Sequence, residues 1–211
     1  MNVNILIAFY SRLGSTELLA RSIAEGASAA GATVRLRRAR ELVDAQVMSS
    51  VPGWLESASR MNNSFDAPTE ADAEWADGII FGTPTRFGSV SSELKAYIDS
   101  LGGLWFKGRL NGKAGSVFTS SSTPHGGNES TLISMYQPLA HLGLIIVPLG
   151  YADATLFKAG TPYGASSVSG QSGSPPTPDD LEVARFQGRR VSAVSAGLKV
   201  MGTAIISSVG S

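Results

Sequence analysis

Apolar positions along the chain fall into two rhythms that alternate from its beginning. Val3–Tyr10 (VNILIAFY), Gly78–Gly82 (GIIFG) and Leu144–Pro148 (LIIVP) are short, nearly unbroken apolar runs, as expected of parallel strands covered on both faces. Lys113–Thr119 (KAGSVFT) predicts a further strand, and the alternating Ala32–Arg37 (ATVRLR) a more exposed one. Between them the spacing turns helical. Leu19, Ile23 and Ala27 recur within Thr16–Ala30, with Ser15 or Thr16 as N-cap and Gly31 as stop. Ser91–Leu101 puts Leu94, Ile98 and Leu101 on one face; Glu129–Leu142 and Asp179–Lys199 are the later helical segments, with Asp179 and Asp180 at the positive end of the last.

Two stretches lack a clear rhythm. Glu41–Asp77 holds Trp54, Met61, Phe65 and an acidic run, and predicts a long, partly helical connection. Ala159–Pro178 is so rich in Gly, Ser and Pro that regular structure is not expected over most of it. Five strands alternating with helices predict an α/β protein with a doubly wound, five-stranded parallel sheet. One domain over residues 1–200 is expected, followed by a weakly charged tail, 201–211.

Composition removes several function classes. Lys+Arg and Asp+Glu both number 17, so no global field draws the chain to nucleic acid or a membrane surface. There is no cysteine, which excludes disulfides, thiol catalysis and thiolate metal sites, and two histidines, His125 and His141, argue against a metal centre. No basic leader or spanning apolar stretch is visible, so the expected compartment is the cytoplasm.

The first strand runs into Ser11-Arg12-Leu13-Gly14-Ser15-Thr16 and then directly into a helix. Free N–H groups at a helix start, with hydroxyls and a glycine beside them, suit an anion. Neither the nucleoside-triphosphate loop nor the dinucleotide fingerprint is present, so the loop suits a monophosphate ester; plain helix capping by Ser15 is the alternative. Two further polar segments, Pro84–Gly88 and Ser120–Gly126, also follow strands. In an open α/β sheet ligands bind beyond the carboxyl ends of strands, so one mononucleotide could touch all three.

These segments carry a resemblance. Ser11–Thr16 resembles the phosphate loop of flavodoxin-like proteins, and GTPTRFG (82–88), GGLW (102–105) and GTPYGA (160–165) resemble hallmarks of the WrbA family of NAD(P)H:quinone oxidoreductases. The match runs from the first strand to Gln187. It implies a flavodoxin-like sheet of order 2-1-3-4-5, FMN as cofactor, NADH or NADPH as donor, and a quinone as substrate. Hydride would pass through flavin N5 in a two-electron reduction to quinol. By the same resemblance Ser11, Arg12, Leu13, Gly14, Ser15 and Thr16 hold the phosphate. Pro84, Thr85, Arg86, Phe87 and Gly88 border the flavin ring, with Ser120, Ser121, Ser122, Thr123 and Gly126 along its other edge. Trp105 lines the substrate pocket, and a homotetramer places the active sites near subunit interfaces. Arg86 has its own rationale, since a cation stabilises the reduced flavin anion.

Two positions depart from the family pattern. The loop after the 113–119 strand is one residue longer and less glycine-rich, and Leu142 stands where a second histidine is common, leaving His141 as a weak proton-donor candidate. Two other readings are a one-electron flavodoxin-type carrier, which zero net charge and Arg86 count against, and a repressor-associated binding protein, for which no basic face or helix-turn-helix pattern exists.

Overall fold

A computed structural model of the protein describes residues 2–170 and 173–202; most of the tail expected from residue 201 lies outside the described residues. The chain opens with β1 (Asn4–Phe9), α1 (Ser15–Ala29) and β2 (Thr33–Arg38). Leu19, Ile23 and Ala27 are buried along α1, as their spacing predicts. The weakly periodic connection folds as α2 (Ala45–Ser49), α3 (Trp54–Ser64) and α4 (Glu70–Trp75). Then follow β3 (Gly78–Pro84), α5 (Ser92–Ser100), α6 (Gly102–Phe106), β4 (Ala114–Ser121), α7 (Asn128–His141), β5 (Ile145–Ile146), β6 (Ser166–Val168) and α8 (Pro178–Met201).

The strands pair in parallel in the order β2-β1-β3-β4-β5, as expected. The sheet nevertheless has six strands, not five. β5 pairs only the beginning of β4, through Ala114↔Ile145 and Gly115↔Ile146. β6 pairs its end, through Thr119↔Ser166, Ser120↔Ser167 and Ser121↔Val168. The edge strand is thus split, and its second half comes from the Gly/Ser/Pro-rich segment for which no regular structure was expected. Pairing with β4 overrides weak local β-propensity there.

Between the two halves, a side chain from α8 does the work of the missing backbone. Gln187 is fully buried. Its amide nitrogen donates to the Val117 carbonyl and to Ser116 Oγ, each at 2.8 Å, and its amide oxygen accepts from the Ala165 N–H at 3.0 Å. Buried ladder groups left open by the split are thereby paired.

Alternate side chains on the strands feed two cores. Leu6, Ala8, Ile79 and Phe81 pack with Leu94 of α5 and Leu132 of α7; Ile5, Ile7, Phe9 and Phe118 pack with α1 and α8. The α1–α8 contact is very close. A Cβ on Gly188 would lie 2.0 Å from the Ile23 carbonyl oxygen, and one on Gly26 equally near that of Arg185, so both positions require glycine.

Helix starts differ in a way that bears on function. α8 begins with a capping box of Thr177 and Asp180, and Ser91 caps α5. α1 has no side-chain cap. Its N-cap is Gly14 at φ 116°, not Ser15 or Thr16 as the residue types suggested. Only glycine takes that backbone conformation readily, and it shifts the helix start one residue earlier.

Candidate active site

The uncapped start of α1 is the floor of the site. The first intrahelical bond runs from the Leu18 N–H to the Gly14 carbonyl at 2.9 Å, so the N–H groups of Ser15, Thr16 and Glu17 have no partner within the helix. Ser11 is buried and its Oγ accepts from the Gly14 N–H at 3.1 Å, which closes the loop on itself. Thr16 Oγ1 and Ser120 Oγ share a buried hydrogen bond of 2.8 Å, tying the loop to β4. The Arg12 guanidinium lies 3.8 Å from the Trp54 ring centroid, and its buried Nε has no hydrogen-bond partner. Backbone donors, hydroxyls and the Arg12 side chain thus line one place.

Glu17 puts a carboxylate on this same helix turn, where it would oppose an anion. It is engaged on the other side: Arg60 donates to it at 2.5 Å and Arg21 at 3.0 Å. Burial works to raise its pKa, and these hydrogen bonds and charges more than offset that, holding the carboxyl below its ordinary range. The carboxylate is therefore ionised but neutralised by its partners.

The second wall is the end of β3 and the turn after it. Pro84 closes the strand, paired with Ser120, and the Thr85 N–H donates to the Ser120 carbonyl at 2.8 Å. Thr85 Oγ1 accepts from Thr131 Oγ1 at 2.7 Å and from the Gly88 N–H at 3.2 Å. Arg86 and Ser89 exchange backbone bonds around a two-residue turn in which both Phe87 (φ 53°) and Gly88 (φ 78°) are left-handed. Phe87 is the one non-glycine residue with positive φ among those described, and its ring is fully exposed. A bulky residue there costs roughly 1–2 kcal/mol, and strain of this kind clusters at ligand-binding rims.

The third wall departs from expectation in its form. Ser120 and Ser121 belong to β4 and are buried, whereas Ser122 and Thr123 are exposed loop residues. Ser121 Oγ donates to the Thr123 carbonyl at 2.8 Å, and the Gly126 N–H to the same carbonyl at 3.0 Å, so the loop turns tightly.

Ser11, Arg12, Leu13, Ser15, Thr16, Pro84, Thr85, Arg86 and Ser120–Ser122 line one cleft of about 220 Å³ at the carboxyl edge of the sheet. Larger cavities lie elsewhere among the described residues: two of about 480 Å³, one beside Asp77 and Lys113 at the opposite edge and one beside Asn128 and Ser167, and one of about 420 Å³ on the outer side of α1, beside Glu17 and Arg60. The smaller cleft is the candidate site because the polar loops of three strands converge on it, where an open α/β sheet binds its ligands. It also receives Ser169, just beyond β6, whose N–H donates to the Ser121 carbonyl at 2.9 Å. Sequence reasoning missed Ser169; the short run Ser166–Ser169 before a glycine was the only signal.

Gly14, Phe87, Gly88, Thr123 and Gly126 sit outside this cleft lining, on the loops around it. Trp105 does not line it either. It is about half exposed on α6, which follows the end of α5 remote from the cleft. His141 ends α7, a helix of 14 residues that starts beside the cleft and runs roughly 21 Å away from it. Its neighbour Gly143 accepts from the Gly112 N–H just before β4 begins, at the opposite edge of the sheet. His141 therefore does not serve as a proton donor to the cleft of its own chain, and Leu142 packs into the core instead of facing a ring.

Fold and cleft define a flavodoxin-like α/β protein whose polar loops converge at the carboxyl edge of the sheet. Residues 1–156 match the NADPH-dependent FMN reductase family. A protein of Geotalea uraniireducens named NAD(P)H dehydrogenase (quinone) is 42% identical over 203 residues, covering 93% of this chain and 99% of its own. A protein of the same name from Archaeoglobus fulgidus is 43% identical over 194 residues, covering 92% and 98%. Among solved structures, a flavodoxin, WrbA-like protein from Agrobacterium tumefaciens superposes with a TM-score of 0.64 at 25% identity, covering 92% of this chain and 98% of that one. The chain belongs to the NADPH-dependent FMN reductase family, in its flavodoxin-like WrbA branch.

Proposed function

We propose that this protein is a cytoplasmic FMN-dependent NAD(P)H:quinone oxidoreductase. The observation that carries the reading is the uncapped first turn of α1, set among buried hydroxyls and an Arg12 with an unpaired Nε, in one cleft with the loops after β3 and β4. Relatives at 42–43% identity that bear the name NAD(P)H dehydrogenase (quinone) support the same activity.

The residues present fit FMN. Ser11–Thr16 would take its phosphate through first-turn N–H groups and hydroxyls, with no metal or lysine required. Arg86 and the backbone of Phe87 and Gly88 would border the ring, with Ser122–Gly126 opposite. FMN, when bound, supplies hydride acceptance from the nicotinamide at N5 and two-electron delivery to the quinone. The chain orients the flavin, places a cation near it through Arg86, and leaves the ring side of the cleft open for donor and quinone in turn.

Trp105 and His141 then act, if they act on substrate, in the cleft of another subunit. A homotetramer with active sites near its interfaces accounts for two residues of the family pattern that lie away from the cleft of their own chain. It also accounts for the exposed Phe106, next to Trp105 on α6.

Purified protein loaded with FMN is expected to oxidise NADH or NADPH beyond about one equivalent per flavin only when a benzoquinone is present under anaerobic conditions, with about one quinol formed per further nicotinamide consumed. FMN uptake without quinone-dependent oxidation of either nucleotide would overturn the enzyme reading and leave a carrier.

A further inference from the structure

Arg38 ends β2 and is fully buried, a placement an arginine reaches only with several partners. Its Nη2 donates to the backbone carbonyl of Ser11 at 2.9 Å and to the Glu41 carboxylate. Its Nη1 donates to Glu41 at 3.2 Å and to Asn62 Oδ1 at 2.6 Å. The Glu41 side chain is itself buried. Burial works to raise its pKa, while the hydrogen bond and charge of Arg38 lower it, and the net effect holds the carboxyl below its ordinary range. Asn62 lies on α3, the helix whose Trp54 stacks under Arg12.

We propose that Arg38, clamped by Glu41 and Asn62, is a positioning residue that aims the phosphate loop at its anion. This rests on the FMN reading of the cleft. The lever is one peptide plane. In a trans peptide the carbonyl and the following N–H point in opposite directions. With the Ser11 carbonyl held against Arg38 beneath the loop, the Arg12 N–H is turned the other way, toward the cleft that Ser11, Arg12 and Leu13 line. Ser11 Oγ, also held by this residue's fixed backbone, stays in reach of the Gly14 N–H. Lysine cannot replace the arginine, because a single ammonium lacks the planar fork that spans a carbonyl, a carboxylate and an amide at once.

FMN and riboflavin differ by the phosphate alone, so binding of the two by flavin fluorescence separates positioning of the loop from general damage. Arg38→Lys is expected to raise the FMN dissociation constant about tenfold or more and that of riboflavin by less than about twofold. Asn62→Ala, at an exposed position, is expected to give the same selectivity at about threefold, and is the measurement that decides if Arg38→Lys fails to fold. Equal weakening of both flavins, or no change in either, overturns the positioning role. A wild-type protein that binds neither flavin is a different result, which removes the cofactor reading itself.

Discussion

At one end of the cleft Ser11, Thr16 and Ser120 are buried and hydrogen-bonded to one another or to the loop, on a helix whose back meets α8 with no side chain between Gly188 and Ile23. At the other end Phe87 stands wholly in solvent, and Ser122, Thr123, Pro124 and His125 are exposed. Both ends lie at the carboxyl edge of the same sheet. The difference is one of completeness. The end proposed to take the phosphate is closed within a single chain, through the Ser11–Gly14 and Thr16–Ser120 hydrogen bonds. The other end is a rim, with strain at Phe87 and with Trp105 and His141 placed elsewhere. A site that must hold one ligand permanently and admit two others in turn is served by such a division.

The largest expected effect tests how far the closed end depends on distant support. Gln187→Leu removes the amide that bridges the split edge strand and strands the Val117 carbonyl and the Ala165 N–H; a loss of about 3 kcal/mol or more is expected in urea unfolding. Loss below about 1 kcal/mol would mean the two half-strands hold without it.

Next in size, Thr16→Val keeps shape but leaves Ser120 Oγ without its partner. A cost of about 1–3 kcal/mol in stability is expected, together with weaker FMN binding measured by fluorescence quenching. An unchanged FMN affinity would show that the hydroxyl pair serves the fold and not the ligand.

The acid limb of stability sharpens the same end. Glu17 has a folded pKa below its unfolded value, so its contribution is fully present above the usual carboxylate range and is lost as pH falls through the folded value. Because Arg60 and Arg21 are about half exposed, the contribution is discounted to about 1 kcal/mol at most. Thermal melts of the wild type should therefore fall more steeply below about pH 4.5 than those of Glu17→Gln. Parallel curves would remove Glu17 as a stabilising carboxylate.

Phe87→Gly is the smallest expected effect on stability and the sharpest on the comparison. Relief of the left-handed strain and the entropy cost of glycine nearly cancel, so stability should stay within about 0.5 kcal/mol in thermal melts, while quinone turnover falls. A stability loss equal to that of Thr16→Val would mean the two ends are not built differently.

Contiguous segments were legible at both ends of the cleft. Ser11–Thr16 is contiguous and its chemistry follows from residue types at a strand–helix junction, and GTPTRFG is local in the same way. What remained hidden depends on chain crossings. Ser169 reaches the cleft only because β6 pairs the end of β4, and that pairing draws on residues that look like loop. Ser120 and Ser121 read as loop for the same reason, yet pairing of Ser120 with both β3 and β6, and of Ser121 with β6, makes them strand. The apolar run 144–148 promised a full strand and gives two paired residues, because β4 has only its first turn of ladder free there. Arg38 and Gln187 carry no motif at all. Their roles come from which backbone groups the fold leaves beside them.

The split edge has a consequence for how such a protein can vary. β5 and β6 leave and rejoin the sheet on the flank of one strand, and the intervening chain is cinched at its base, where the N–H groups of Leu149 and Gly150 both donate to the Pro162 carbonyl. Insertions at the exposed turn around Tyr151 cost the scaffold little, since each doubling of a flexible loop costs only about 0.6 kcal/mol, whereas Leu156 in the same excursion is buried in the core and anchors it. The exposed tip, with the Tyr151 and Phe157 rings 5.3 Å apart, is thus a natural graft point, open to new sequence while the catalytic platform is inherited unchanged.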